Sequence, residues 1–256
     1  MKHYERLIEM GCFSRSDLTT LTGSEAAANS LIYSYKQKGL ISAVRRDLFV
    51  TISLETKQPI PNRYVVGSHI APDACVSHHS AFEYYGYANQ VYYDVYVTTA
   101  SRFREFEFDG CTYRHVPLTY SYGIEKQRDT ARVTSIERTV VDSIGNLEKN
   151  GGLEELLRCV DMIPRLDGGK LLASLNRRGC GFLMQKTGYI LEHYKEDLLL
   201  PDSFFEACIA GLPGGKRYLY QGLQNEPHVL NKKWRLFAPP DLTAVTSQGE
   251  TELYGI

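Results

Sequence analysis

The chain has 256 residues, of which 43% are hydrophobic and 23% charged, and its formal net charge is −1. This composition is typical of a folded globular protein and excludes an intrinsically disordered chain. The near-neutral charge also excludes a global positive field that would steer the chain to nucleic acid, so a DNA site has to come from a local basic patch.

Two sequence features bear on the compartment. No apolar run reaches the roughly 18 residues that a membrane span requires, and the opening residues lack the apolar core of a signal peptide. The six cysteines are scattered without a C-x-x-C pair, which predicts reduced and mostly buried thiols. We therefore expect a cytoplasmic protein that makes no contact with a membrane.

Residues 1–60 predict a winged helix-turn-helix. The apolar spacing within residues 4–8 indicates a short first helix that stops at a glycine. Ser14 and Asp17 have the spacing of a capping box in front of a second helix. A glycine-containing turn then leads to a third helix, which Ser24 can cap. Two helices joined by a tight turn of this kind are a helix-turn-helix.

The third helix and the segment after it predict the DNA-binding surface. An inward apolar stripe leaves polar side chains of this helix in solvent, where they can bond base edges and phosphates. Two β-prone runs around Arg45-Arg46-Asp47 predict the wing, whose tip needs a positive φ that Asp47 tolerates. A dimerisation or protein-docking module is the alternative for this segment. The predicted DNA-binding residues are Ser24, Asn29, Ser30, Tyr33, Lys36, Arg45 and Arg46.

The rest of the chain predicts a second domain over residues 64–256. A polar, proline-containing stretch over residues 54–63 predicts the linker that precedes it. The second domain begins with a predicted helix over residues 77–86, and period-two alternation then indicates strands, with a hairpin signal at Asp109-Gly110. Several glycine-punctuated helical segments follow.

These elements give an α+β fold class. It consists of an N-terminal winged helix-turn-helix followed by a mixed α/β C-terminal domain with a small sheet and a helical layer. The sheet is predicted from residues 90–135. Two C-terminal segments, residues 216–222 and 232–239, predict strands that can extend it.

The candidate catalytic and metal-binding groups are weak. His78 and His79 are adjacent on a helix, so their side chains point about 100° apart and do not easily share one ion; we expect one packed and one exposed. Asp94 with Glu105 or Glu107 resembles the carboxylates of metal-dependent nucleases, but the usual lysine is missing. Phosphate-binding glycine loops, dinucleotide fingerprints and nucleophile elbows are also missing. We predict no catalytic residue, no metal site and no cofactor.

Several segments after the winged helix carry a resemblance in their order and spacing. They are Ser77–Ala81 with Gly86, the run Ile136–Asp142, and Gly188 with Leu191 and Glu192. With these segments, nearly the whole chain resembles the AbiEi family of antitoxins from abortive-infection toxin–antitoxin operons. The resemblance implies a protein that represses its own operon by binding promoter inverted repeats and that counteracts a cognate nucleotidyltransferase toxin, by direct contact or otherwise.

The family pattern also includes individual residues. Glu137, Arg138 and Asp142 match it, but their helical spacing indicates an ion pair as readily as a toxin contact. The usual glycine of the wing tip is replaced by Asp47, which is a departure from the pattern. The family offers no catalytic motif to transfer.

Two further expectations concern partners. Basic side chains of the predicted helical layer give a candidate face for the toxin or the DNA backbone, with a solvated helix face as the alternative. These residues are Lys170, Arg177, Arg178 and Lys186. Residues 1–60 hold eight Lys and Arg against six Asp and Glu, a net charge of only +2. We therefore expect two copies to act together on a symmetric double-stranded site.

Two alternatives to the antitoxin remain. One is a one-component regulator whose second domain senses a small ligand in a pocket lined by the aromatic residues of 82–122. The other is an enzyme acting on DNA through Asp94 or Glu107.

Overall fold

The structure is a computed structural model that describes residues 3–242 and 244–245. Within these residues, helices and three separate sheets confirm the α+β class. None of the helices described has the length and apolar character needed to cross a membrane.

The chain divides into two compact units. The first comprises Met1–Val76, Tyr93–Leu118 and Glu125–Val133, and the second comprises Ser77–Tyr92, Thr119–Ile124 and Thr134–Ile256. The predicted division at residues 61–63 lies within the first unit and stays a prediction.

The first unit begins with three helices and three short strands. In chain order these are α1 Tyr4–Met10, β1 Cys12–Ser14, α2 Arg15–Thr22, α3 Glu25–Gln37, β2 Ile41–Arg45 and β3 Leu48–Thr51. Strand β3 lies in the centre of a three-stranded sheet and pairs antiparallel with β1 and β2. The hairpin of β2 and β3 has the predicted position, whereas β1 was not predicted.

The predicted caps of α2 and α3 are confirmed. The side chain of Ser14 accepts from the backbone N–H of Asp17, whose carboxylate accepts from the N–H of Ser14 at 2.7 Å. Gly23 ends α2 with φ 84°, and Ser24 caps α3 by accepting from the N–H of Ala27. These local bonds satisfy backbone donors that a helix end leaves free. The three helices and the sheet enclose a common core that includes Leu7, Phe13, Leu18, Ala28, Ile32 and Phe49.

A six-stranded sheet forms the rest of the first unit, preceded by helix α4, Arg63–Ser68. Its strands are β4 Cys75–Val76, β5 Asp94–Thr99, β6 Phe106–Phe108, β7 Cys111–Pro117, β8 Ile124–Lys126 and β9 Arg132–Thr134. The spatial order is β6-β7-β5-β4-β9-β8. The predicted hairpin at Asp109-Gly110 joins β6 and β7, while β5 and β7 pair in parallel. Strand β4 lies outside the residues from which the sheet was predicted.

The second unit is mainly helical. Its helices are α5 His79–Tyr85, α6 Ile136–Gly145, α7 Leu153–Asp161, α8 Gly168–Arg178, α9 Gly181–Glu192 and α10 Asp202–Ala210, with 3-10 turns at Leu147–Asn150 and Leu223–Asn225. Helix α6 is buried over most of its length and belongs to one large apolar core with α7 to α10. Helix α9 is buried on nearly all sides between Gln185 and Leu191.

The C-terminal strands form a sheet of their own. They are β10 Arg217–Tyr218, β11 Val229–Asn231 and β12 Leu236–Ala238, in the order β10-β12-β11. The expectation that these strands extend the larger sheet is therefore wrong. Their aromatic rings stack on one another, as Tyr218 does on Phe237 at 4.8 Å between ring centroids, and this packing holds the small sheet together.

The thiols confirm the expected burial with one exception. Five cysteines are buried, and Cys180 is exposed at the residue before α9. Burial raises the pKa of Cys12 and of Cys208 to about 12. These buried thiols therefore stay protonated at neutral pH.

The only tryptophan of the chain packs directly on a glycine. Trp234 is fully buried, and its Nε1 donates to Glu192 at 2.7 Å. A Cβ at Gly188 would lie 2.2 Å from two ring carbons of Trp234. Gly188 and Glu192 are one helical turn apart, so the indole can lie against the glycine while its Nε1 reaches the glutamate. The packing of Trp234 therefore accounts for Gly188 and Glu192, two of the residues that carry the resemblance described above.

We predict that Gly188→Ala expels Trp234 from this position. The loss in the free energy of unfolding should be about 2 to 4 kcal/mol, the range typical of overpacking and of a displaced core aromatic ring. Urea unfolding followed by tryptophan fluorescence reports both stability and the solvation of the ring. Gly215→Ala is the control, because its Cβ would meet nothing within 4 Å. Equal midpoints for the two variants would contradict the packing argument.

Candidate functional site

A groove in the first unit lies between α3 and the tip of the β2–β3 hairpin. Its volume is 600 Å³. Four basic and two acidic side chains line it together with three apolar ones: Arg15, Lys36, Arg45, Arg46, Glu25, Asp47, Ile32, Ala43 and Phe49. Because α3 supplies one wall and the hairpin the other, a ligand in the groove contacts both elements at once.

Arg15 connects the elements around this groove. Its Nε donates to Asp47 Oδ1 at 2.7 Å, and its guanidinium also donates to Asn29 Oδ1. Asp47 has φ 60°, the positive value predicted for the tip. The hydrogen bond from Arg15 lowers the pKa of Asp47 below its usual value. Asp47 is thus the charged partner of Arg15 at the hairpin tip.

The predicted DNA-binding residues divide into two groups. Lys36, Arg45 and Arg46 line the groove. The others are exposed on α3 or at its start: Ser24, Asn29, Ser30 and Tyr33. Two of these others already have a bond within the protein, since Ser24 caps α3 and Asn29 accepts from Arg15. Tyr33 has 69% of its surface exposed.

The two adjacent arginines of the hairpin have different surroundings. The guanidinium of Arg45 lies 5.6 Å from the ring centroids of both Phe103 and Phe106, a distance typical of cation–π contacts. Arg46 is 95% exposed, and its Nε lies 3.6 Å from Asp47. Arg45 is therefore held against the larger sheet, and Arg46 is the arginine that solvent reaches freely.

Sequence reasoning missed three basic residues near this groove. Arg15 is not among the predicted binding residues, because no local pattern indicates its bonds to Asn29 and Asp47. Arg102 and Arg104 flank Phe103, on which Arg45 stacks, and both are exposed. They extend the basic surface of the hairpin onto the segment between β5 and β6. Only the tertiary contact of Arg45 brings these residues together.

The basic residues of the helical layer do not share one exposed face. Lys170 is exposed in the first turn of α8. The guanidinium of Arg177 lies 4.1 Å from the ring centroid of Tyr122, and Arg178 donates to Thr119 at 3.2 Å. Lys186 is 8% exposed and lies on α9. Lys170 is thus open to solvent, whereas Lys186 is buried and lines a cavity.

Two of the three carboxylates of the nuclease alternative pair with an arginine. Arg114 pairs with Asp94 at 2.7 Å and with Glu105 at 2.9 Å. Asp94 and Glu107 lie on opposite sides of Thr112 in the sheet. Two strand spacings, about 10 Å, separate such positions, which is too far for direct ligands of one ion. The arrangement favours structural ion pairs on a wet sheet face.

The histidine pair is more deeply placed than expected. His78 is 5% and His79 1% exposed, so the expectation of one exposed histidine is wrong. Nε2 of His79 lies 3.0 Å from Glu155, and Nδ1 lies 3.3 Å from Glu83. Since these two carboxylates come from α5 and α7, His79 bridges two helices. No helix periodicity around His79 could indicate the glutamate on α7.

His79, Glu155 and Cys159 form a buried group whose potential metal-ligand atoms lie within 4.8 Å of one another. Glu155 accepts from the backbone N–H groups of Asn89 and Gln90 at 3.2 and 3.0 Å. Burial and then the charge of Glu155 raise the pKa of Cys159 above its usual value. A protonated thiol and a carboxylate occupied by backbone donors suit a structural hydrogen-bond network better than an ion.

Arg138 and Asp142 form a buried ion pair on α6. Their closest atoms are 3.1 Å apart, with 1% and 7% of the side chains exposed. Arg138 also donates to the carbonyl of Tyr122 at 2.7 Å, and the ring centroid of Tyr120 lies 4.1 Å from the guanidinium. Glu137 is buried as well and accepts from the N–H of Asp167 at 3.4 Å. Of the two interpretations left open for these residues, the geometry supports the structural one.

No family model matches the chain, and no curated protein sequence matches it. Its fold is similar to that of the RV2827C protein from Mycobacterium tuberculosis, with a TM-score of 0.59 and 13% sequence identity. The similarity covers 93% of this chain and 89% of that chain. At this identity, the likeness concerns the fold alone.

We predict that Asp142→Asn destabilises the second unit. It leaves the buried guanidinium of Arg138 without its counter-charge, which should cost about 3 kcal/mol or more. Chemical denaturation at neutral pH measures the loss. Glu154→Gln is the matched control, because it breaks an exposed pair with Arg158 and should cost less than about 1 kcal/mol. Similar losses in the free energy of unfolding for the two variants would show that the buried pair contributes no more to stability than the exposed pair.

A second prediction concerns acid stability. Burial, and then the positive charges of Lys149, Arg178 and Arg138, lower the pKa of His78 to about 3. The unfolded chain therefore binds one more proton than the folded chain between pH 6.5 and 3. The free energy of unfolding should fall in this window as the pH falls, with up to about 1.4 kcal/mol per pH unit from this group.

His78→Asn tests this contribution, since asparagine tolerates the positive φ of this position. Urea unfolding at several pH values from about 7 to about 4 should give a smaller slope for the variant than for the wild type. His193→Asn, at an exposed histidine, serves as the control. An unchanged slope in His78→Asn would contradict the assignment of this pH dependence to His78.

Proposed function

We propose that residues 1–60 form a winged helix-turn-helix that binds double-stranded promoter DNA, and that the chain is a repressor without catalytic activity. The observation that carries the proposal is the groove, in which Lys36 of α3 and Arg46 of the hairpin tip line one concave surface. A helix that enters the major groove and a hairpin that follows the backbone beside it require this arrangement.

In this proposal, different side chains contact the bases and the phosphates. Ser30 and Tyr33 are exposed on α3 and supply hydroxyl groups for base edges. Lys36 and Arg46 supply charge for phosphates. Arg15 has a positioning role, because its bonds to Asn29 and Asp47 hold α3 and the hairpin tip at a fixed separation.

We further propose that the chain is the antitoxin of an AbiE-type toxin–antitoxin system in the cytoplasm. This part rests on the resemblance of the segments around Ser77, Ile136 and Gly188. The cognate nucleotidyltransferase toxin would be countered by the second unit. Co-expression with the product of a neighbouring nucleotidyltransferase gene tests it: restored growth supports the proposal, and growth arrest despite a folded antitoxin contradicts it.

A second candidate is a regulator whose DNA affinity depends on a small ligand. A specific feature of the second unit favours it, a cavity of 540 Å³ beside Lys186. This cavity lies outside the aromatic segment of residues 82–122 in which such a pocket was expected. The two candidates share the DNA-binding module and differ only in what the second unit recognises.

The decisive experiment on DNA binding compares single arginine substitutions. Each phosphate contact adds about 0.9 to the slope of the logarithm of affinity against the logarithm of salt concentration. Arg46→Ala should lower this slope by about one and weaken binding to all duplexes alike. Fluorescence anisotropy with a duplex containing the upstream inverted repeat, at several salt concentrations, measures both quantities.

Arg6→Ala is the matched control. It removes the same charge from an exposed arginine on α1 that pairs with Glu9. Arg45→Ala also loosens the contact with Phe103 and Phe106 and is expected to affect stability as well. If Arg46→Ala and Arg6→Ala bind with the same affinity and the same salt slope as wild type, the groove is not the DNA-binding surface.

A further inference from the structure

We propose that the second unit holds a binding site for a small phosphorylated molecule at Lys186. Two adjoining cavities of 540 and 450 Å³ meet at this residue, and both are also lined by Tyr220 and Gln221. The site is separate from the groove of the first unit, and the inference stands whether or not the chain binds DNA.

Lys186 is a buried cation on α9. It is 8% exposed, and the helix is buried on nearly all sides at this level. Within residues 3–242 and 244–245, no carboxylate forms an ion pair with its ammonium group. The ring centroid of Phe182 lies 5.4 Å from the Nζ of Lys186. Burial lowers the pKa of Lys186 to about 8.

A buried, unpaired ammonium group is costly, and long cationic side chains in proteins are almost always exposed or paired. Arg138 of the second unit follows this rule through its pair with Asp142. Lys186 departs from the rule at a place where its surroundings open into a cavity. An anion bound there would supply a counter-charge.

The walls of the two cavities identify the chemical class of this anion. Lys216 and Arg217 line the smaller cavity with Lys186, and Glu148 in the larger one is the only acidic residue of either described lining. Several cations around one small volume fit the multiple charges and acceptor oxygens of a phosphate group. Aromatic and amide side chains surround the cations: Phe182, Tyr218, Tyr220, Gln221 and Gln224. They can contact an organic part attached to the phosphate.

Because Lys186 is buried, the affinity of this site for an anion should depend on pH. A bound anion favours the charged form of Lys186 and therefore raises its pKa. Binding should take up protons near pH 8, and the affinity should fall between about pH 7 and about pH 9. Exposed lysines, which are still almost fully charged at about pH 9, would give no such fall.

Isothermal titration calorimetry of the full chain tests the proposal. The probes are inorganic phosphate, AMP and citrate, each at about pH 7 and about pH 9. We expect phosphate and AMP to bind at the lower pH, AMP more tightly if the aromatic walls contribute, with an affinity at least about fivefold lower at the higher pH. Binding of citrate alone would reassign the site to carboxylates and overturn the proposal for phosphate. No binding of any probe at millimolar concentration would overturn it as well.

Lys186→Met removes the charge and keeps the length of the side chain. It should weaken phosphate and AMP binding at least about tenfold at neutral pH and abolish the pH dependence. Lys232→Met, at an exposed lysine between β11 and β12, should bind like wild type. Lys186→Gln is the second variant, and circular dichroism checks that each variant folds. Unchanged binding in a folded Lys186 variant would overturn the proposal.

Discussion

A buried charge needs a counter-charge or hydrogen-bond acceptors, and this requirement organises much of the second unit. Arg138 is almost completely excluded from solvent, and a lone guanidinium at such a depth would cost several kcal/mol. Asp142, the carbonyl of Tyr122 and the ring of Tyr120 meet this requirement together. The segment around Tyr120 is thereby fixed against α6. The histidine network follows the same logic, since His79 joins α5 to α7 through two glutamates.

Charged side chains at the surface of the first unit also have partners, although solvent makes a partner less necessary there. Asp47 occupies a hairpin position where glycine is usual, and its side chain then serves as the acceptor for Arg15. The residue thus combines a tolerable backbone conformation with a link between the hairpin and Arg15 of α2. Arg45 is likewise occupied by two phenylalanine rings. Arg15 and Arg45 therefore hold the hairpin in place, whereas Arg46 is 95% exposed.

The features that sequence could predict are those set by neighbours along the chain. The bonds of Ser14 with Asp17 join groups three residues apart, and the Asp109-Gly110 turn depends on its own two residues, so local chemistry determines both. Strand β4 and the parallel pairing of β5 with β7 depend on distant segments, and no periodicity indicated them. The burial of His79 depends on Glu155 in the same way. The sequence of α9 does not reveal that other elements cover this helix on nearly every side. Lys186 was therefore expected on an exposed face.

The exposure of Cys180 also affects how this protein is handled. Five thiols are shielded by packing, while this sulfur stands in solvent at the start of the helix that carries Lys186. Because an exposed thiol is the one most open to oxidation, we expect any disulfide between two copies in aerated buffer to form at Cys180, so assembly is best measured with reductant present. The same accessibility makes it a handle for attaching one fluorophore or spin label per chain, six positions before Lys186 in the sequence, with no engineered cysteine.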